Sequence, residues 1–251
     1  MSSREHVVYL DAAALASEVA SQLVSALATA QAERGRAVLG LTAGSIMEQV
    51  WSALASSDVS AVDWSKVDVV WGDERFVPAD DDDRNDLPAE RLLFAHEPFS
   101  AANRISMPAS DGLDGDDLDA AALRYESALF ELTPSVAPGV VPNVDVMLLG
   151  VGPDGHCCSL FPGHPGLAVT GTSVIAVRNS PKPPPDRLSL TFDGLNAAEQ
   201  IWVVASGSGK AEAVAAALGG ADRLRVPSAG AQGRRRTVWF LDEDAAAQLA
   251  G

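Results

Sequence analysis

Leu15, Val19, Leu23 and Leu27 recur every four residues, with Asp11 before them and Gly35 after. That spacing predicts an amphipathic helix capped by Asp11 and running to about Arg34. The apolar run AVLGLT follows as a strand. Ser45 then opens a helix with Ile46, Val50 and Leu54 inward, and VDVVWG at 67–72 is a second buried strand. Beyond a long acidic loop, Leu118, Ala122, Tyr125, Leu129 and Leu132 trace another helix, which leads through a Pro/Gly linker into the strand VDVMLLG. Further strands are expected at SVIAV, RLSLTF, QIWVVA and TVWFL, with helices near 209–218 and 243–250. Nearly continuous apolar strands alternating with helices imply an α/β fold: a mainly parallel sheet with helices on both faces, in one domain over residues 1–251. Ligands of such sheets sit outside the carboxyl ends of the strands, so the strand-to-helix loops are the place to look for chemistry.

Composition narrows the partners. A net charge of −16 over 251 residues, and a pI near 4.5, disfavour nucleic acid and anionic membrane surfaces. The apolar runs are strand-sized and MSSREHVVYLD has no signal-peptide h-region, so a cytoplasmic protein acting on a small molecule is expected, as a monomer rather than an oligomer. The two cysteines, Cys157 and Cys158, are adjacent and cannot staple distant parts of a fold.

Four loops carry possible chemistry. LTAGSIM places Thr42, Ala43, Gly44 and Ser45 at a strand-to-helix turn, which is either an anion site on backbone N–H groups or an ordinary turn with a serine cap. WGDERFVP sets Asp73, Glu74 and Arg75 just past a buried strand, as a proton carrier with a phosphate grip or as a surface ion pair. In VDVMLLGVGPDGHCCSLFPG, Gly150, Gly152 and Gly155 match the dinucleotide spacing G-x-G-x-x-G. Pro162, Gly163, Pro165 and Gly166 leave room for at most one or two helical turns, and Pro153 lacks an N–H, so the glycines need another purpose. They let the backbone turn sharply and project Asp154 and His156 into the cleft, where a neutral imidazole can serve as general base, the alternative being a structural histidine. The fourth loop, SPKPPPDRLSL, reads as a stiff lid from which Lys182 and Arg187 protrude, or as a rigid connector with solvated charges.

The string HCC invites a zinc site, but adjacent ligands do not converge as metal ligands do, and no metal or other cofactor is expected. A covalent serine mechanism lacks its G-x-S-x-G elbow. ASGSGKAEAV ends in Lys210 at a helix start without the upstream glycine of a Walker loop, which suits a single phosphate better than ATP. GRRRTVWF reads as a solvated strand edge.

Taken together, LTAGSIM, WGDERFVPADDDDRND, GVGPDGHCCSLFPGHP, SPKPPPDRLSLT and ASGSGKAEAV resemble, in order and approximate spacing, the 6-phosphogluconolactonases, within the wider group that includes glucosamine-6-phosphate deaminases. The resemblance implies a metal-free hydrolase on a Rossmann-like sheet, opening 6-phospho-D-glucono-1,5-lactone to 6-phosphogluconate in the pentose phosphate pathway. It implies His156 as general base with Asp154 as its orienting neighbour, and Arg75 and Lys182 as phosphate contacts, with Arg187 and Lys210 beside them. Asp73 stands where the deaminases keep a catalytic carboxylate, and Asn85 matches an asparagine after the acidic loop. The first loop departs from the family's Ser-Gly-Gly-Ser-Thr at Thr42, Ala43 and Ile46, keeping Gly44 and Ser45. A sugar-phosphate deaminase or isomerase, and a non-catalytic sugar-phosphate sensor, are the rival readings.

Overall fold

The computed structural model of the chain describes residues 3–132 and 144–249. The expected Pro/Gly linker, 133–143, lies outside the described residues. An edge strand, β1 (Ser3–Tyr9), leads into α1 (Ala12–Arg34). Asp11 caps α1 by accepting from the Ala14 N–H at 2.8 Å, and Gly35, at φ 78°, closes it by donating to the Gln31 carbonyl. Next come β2 (Ala37–Leu41), α2 (Ser45–Ala55), β3 (Val67–Trp71), β4 (Asp73–Arg75), α3 (Asp86–Ala89), β5 (Asn103–Ile105) and α4 (Leu118–Glu131). After the break come β6 (Val146–Gly150), β7 (Val174–Val177), β8 (Arg187–Leu190), α5 (Phe192–Leu195), β9 (Gln200–Ala205), α6 (Ala211–Leu218), β10 (Arg236–Asp242) and α7 (Glu243–Ala246).

Seven strands form one sheet in the order β1-β10-β9-β6-β2-β3-β5, parallel at every pairing. Every residue of β2 and β3 is buried, as expected of strands covered by helices on both faces. On α1, Leu15, Val19, Leu23 and Leu27 have no exposed surface. Each such side chain contributes roughly 1.5–3 kcal/mol by leaving water. This 23-residue helix is long and apolar enough by composition to cross a bilayer, but that stripe faces the core. Trp51, Trp64, Trp202 and Trp239 fill the space between layers.

The structure departs from the sequence pattern in five places. SVIAV and RLSLTF leave the parallel sheet: β7 and β8 pair antiparallel and join β4 in a separate sheet, β4-β8-β7. No helix lies between β7 and β8, only a short proline-rich connection, and a parallel crossover needs a dozen or more residues. β1 and β5 are additional. The first begins with exposed Arg4, Glu5 and His6, the second has three residues, and neither shows an apolar alternation. β10 lies inside the sheet, so the arginines at 234–236 mark the start of an internal strand and not an edge. The last helix is short, ending at Ala246. Ser45 is the first residue of α2 and not its cap, a place taken by Gly44 at φ 144°.

Candidate active site

Strand order reverses between β2 and β6, which continue in opposite directions across the sheet. Loops leaving the carboxyl ends of two such strands flank a crevice. Here they are stitched together by Thr42, whose buried hydroxyl donates to the Leu148 carbonyl at 3.2 Å and accepts from the Gly150 N–H at 3.1 Å. Ser45 is exposed at the start of α2, where the first backbone N–H groups have no intrahelical acceptor. The left-handed φ at Gly44 favours glycine over any other residue.

The loop after β6 is a tight turn. Gly155 donates to the Gly152 carbonyl and Gly152 to the His156 carbonyl, each at 2.9 Å. Gly155 takes φ 81°, and a Cβ on Gly152 would overlap His156 Nδ1 and Cε1 and Asp154 Oδ1. The glycines therefore serve the histidine. No dinucleotide-type helix follows, because the chain passes instead through a bridge between Cys157 and Leu160.

His156 Nδ1 lies 2.5 Å from Asp154 Oδ1. Asp154 has its carboxyl held well below the usual carboxylate range: burial opposes ionisation, but the His156 hydrogen bond and the charges of His156 and Lys182 outweigh it. A carboxylate accepts only, so Nδ1 donates, and in the neutral imidazole Nε2 carries the lone pair. Lys182 Nζ lies 3.4 Å from Asp154 Oδ1 and 3.2 Å from His156 Nδ1. Lys210, just before α6, belongs to the same group of charges. Burial lowers its pKa first, then the charge of Lys182, against Asp154. His156 and Lys182, from two separate loops, thus converge, with Lys210 near enough to feel the charges of Lys182 and Asp154.

The GDER stretch is interior, and not a surface ion pair. Glu74, 1% exposed, accepts from the N–H groups of Arg75, Asn85 and Asp86 and faces Arg84, which forks onto Asp86 at 3.0 and 2.8 Å. Burial pushes Glu74 up to about 7, against the pull of Arg84. Asp73 accepts from Ser159 Oγ at 2.8 Å, tying β4 to the histidine loop, while the buried Asn85 amide donates to the Asp73 carbonyl. Arg75 donates to the Asp83 carbonyl at 2.5 Å. Arg187 does not protrude from a lid: it is buried, and its guanidinium is turned back onto the proline loop's own carbonyls and over the Phe161 ring. A charged residue in a proline-rich loop reads as exposed, and only the pairing of β4 with β8 brings it inside.

Phe161, Ser159 and Arg84 join these residues without standing out in the sequence. Their signal was weak: an aromatic two residues past a serine in a loop, and an arginine inside an acidic run. Both thiols are buried, and burial, then the charge of Asp73, pushes Cys157 up to about 12, which leaves it a poor nucleophile. Among the described residues no three His, Cys, Asp or Glu side chains cluster as a metal set.

A family model described as glucosamine-6-phosphate isomerases/6-phosphogluconolactonase matches residues 10–239. The 6-phosphogluconolactonase of Streptomyces coelicolor is 46% identical over 244 residues, covering 97% of this chain and 94% of that protein. That of Mycobacterium tuberculosis is 47% identical over 243 residues, covering 96% and 97%. The crystal structure of the devB protein superposes with a TM-score of 0.82 at 30% identity, covering 98% of this chain and 100% of that one.

Proposed function

The chain belongs to the glucosamine-6-phosphate isomerase/6-phosphogluconolactonase family, and from that premise we propose that it hydrolyses 6-phospho-D-glucono-1,5-lactone to 6-phosphogluconate, as a single domain acting alone on a small molecule. The observation that carries the reading is the Asp154–His156 pair, which leaves Nε2 as a proton acceptor in a crevice edged by Lys182 and Lys210.

A six-membered lactone is an activated ester, so one deprotonated water suffices to open it. His156 Nε2 takes a proton from water as the oxygen adds to C1, and Asp154 stabilises the imidazolium that forms. The tetrahedral oxyanion is met by backbone N–H groups of the loops after β2 and β6. Its collapse breaks the bond from C1 to the ring oxygen, which receives the proton from His156. Lys182, Lys210 and Arg75 hold the phosphate, so that binding energy from the unreactive end keeps C1 in register. Asp73, engaged by Ser159, organises the loop and does not shuttle protons.

The test follows lactone loss in real time against the uncatalysed opening, with ammonia release from glucosamine 6-phosphate measured in parallel. Catalysed opening without ammonia is expected. Ammonia release without lactone opening would overturn the reading in favour of a deaminase, and neither reaction would leave the sensor.

Two variants bear on the site. Gly152→Ala is expected to keep its circular dichroism while kcat falls by roughly 10²-fold, because the methyl group displaces the His156 ring. Wild-type turnover would show that the ring tolerates displacement. Lys210→Ala should lose about 1.5–3 kcal/mol in kcat/KM on the phosphorylated lactone, the range for a charged hydrogen bond. Any slow hydrolysis of unphosphorylated gluconolactone should barely change, and equal losses on both substrates would mean that Lys210 does not read phosphate.

A further inference from the structure

Arg187 is one of the few cations near the crevice, yet it is 4% exposed. Its Nε donates to the Pro184 carbonyl at 3.1 Å, and its Nη2 to the carbonyls of Lys182 at 3.2 Å and Pro183 at 2.9 Å. The guanidinium carbon stands 5.5 Å from the centroid of the Phe161 ring. That ring, 1% exposed, has its own centroid 4.8 Å from that of the His156 imidazole, with 36° between the planes.

Two routes therefore run from one guanidinium to the imidazole. One passes through Phe161 to the His156 ring. The other passes through the Lys182 backbone to the ammonium that donates to Asp154 Oδ1, the acceptor of the His156 Nδ1–H. The hydrogen bond to Asp154 fixes Nδ1 alone, and a ring held at one atom can still swing the opposite nitrogen. The packed aromatic removes that freedom, while the Lys182 ammonium, donating to Asp154 Oδ1, holds the carboxylate that receives the Nδ1–H.

We propose that Arg187 is a positioning residue for the reaction: it aims His156 Nε2 by fixing both the ring packed on the imidazole and the loop that delivers Lys182, and it does not bind the substrate phosphate. The inference rests on the reading of His156 as general base. Arginine is suited to this task because its planar fork donates in several fixed directions while its face lies on an aromatic ring, whereas a lysine ammonium is a single flexible point charge.

Arg187→Lys keeps the charge and removes the fork. We expect kcat to fall by roughly 10²-fold on both lactones, the scale of a small misplacement of a catalytic group, with any rise in KM confined to the phosphorylated lactone, whose phosphate Lys182 holds. The same fractional loss should appear on phosphorylated and unphosphorylated gluconolactone, since the proton acceptor is common to both. In the ¹⁵N–¹H spectrum of the imidazoles, His156 resonances should shift while those of His6 and His96 stay in place, a signature that lowered stability alone does not produce. A raised KM on the phosphorylated lactone with wild-type kcat on both substrates would overturn the proposal and make Arg187 a phosphate ligand. Phe161→Leu tests the ring independently and decides the matter if Arg187→Lys does not fold. It should show the same loss in kcat on both lactones, and wild-type kcat would overturn the proposal. His156→Gln separates the two claims. If that variant turns over, the general-base reading fails and the inference with it. If it is dead while Arg187→Lys and Phe161→Leu keep wild-type kcat, only the positioning role fails.

Discussion

His156→Gln is expected to fold, to bind 6-phosphogluconate near normally, and to lose at least ~10²-fold in kcat, the low end for general-base catalysis. Glutamine keeps a polar group of similar size beside Asp154 but has no nitrogen that accepts a proton near neutrality. Asp73→Asn should cost less, because the Asp73 carboxylate is occupied by Ser159 Oγ. The opposite ranking, with Asp73 indispensable, His156 dispensable and ammonia released from glucosamine 6-phosphate, would sink the lactonase mechanism.

The second large effect is on stability. Arg84→Met is expected to lose about 3–5 kcal/mol at pH 8, the usual cost of removing one partner of a buried ion pair. Arg84 is 4% exposed and holds Asp86 through two hydrogen bonds, with Glu74 at 3.6 Å. Without it two carboxylates stay inside with no cation. A carboxyl whose pKa is higher folded than unfolded binds extra protons in the native state, so ionising Glu74 costs stability as pH rises from about 4.5 through about 7. Removing Arg84 takes away the main force opposing that rise. The loss relative to wild type should therefore be largest at alkaline pH and shrink as pH falls toward about 7, below which Glu74 is protonated in both folded proteins. Urea midpoints at pH 8 and pH 6 measure both effects. A loss below about 1 kcal/mol at pH 8, as for an exposed pair, would mean that the cluster is hydrated and not a buried lock.

The helices α1, α2 and α4 were legible from the period of their apolar stripes, and the strands β2, β3, β6, β9 and β10 as short continuous apolar runs buried on both faces. The crevice where the site is proposed was legible too, since parallel strands with glycine-rich exits lead to one at their carboxyl ends. His156 and Asp154 could be named because they sit two residues apart in a turn whose glycines have no dinucleotide to serve.

What Arg187 does was not legible, nor the antiparallel sheet that carries it. The stretch GDER reads as a charged loop until β8, more than a hundred residues later, pairs with it and buries it. Ser159 meets Asp73 across 86 positions, and Lys182 meets His156 across 26. A local pattern records what one segment needs from its surroundings: an apolar face to cover, a cap, a sharp turn. It does not record which distant segment meets that need. By itself the sequence determined the parallel scaffold and the loop that holds the histidine. The tertiary structure alone decided which cations face the histidine and which are turned inward, because burial and pairing of charges depend on neighbours that only the closed chain brings together.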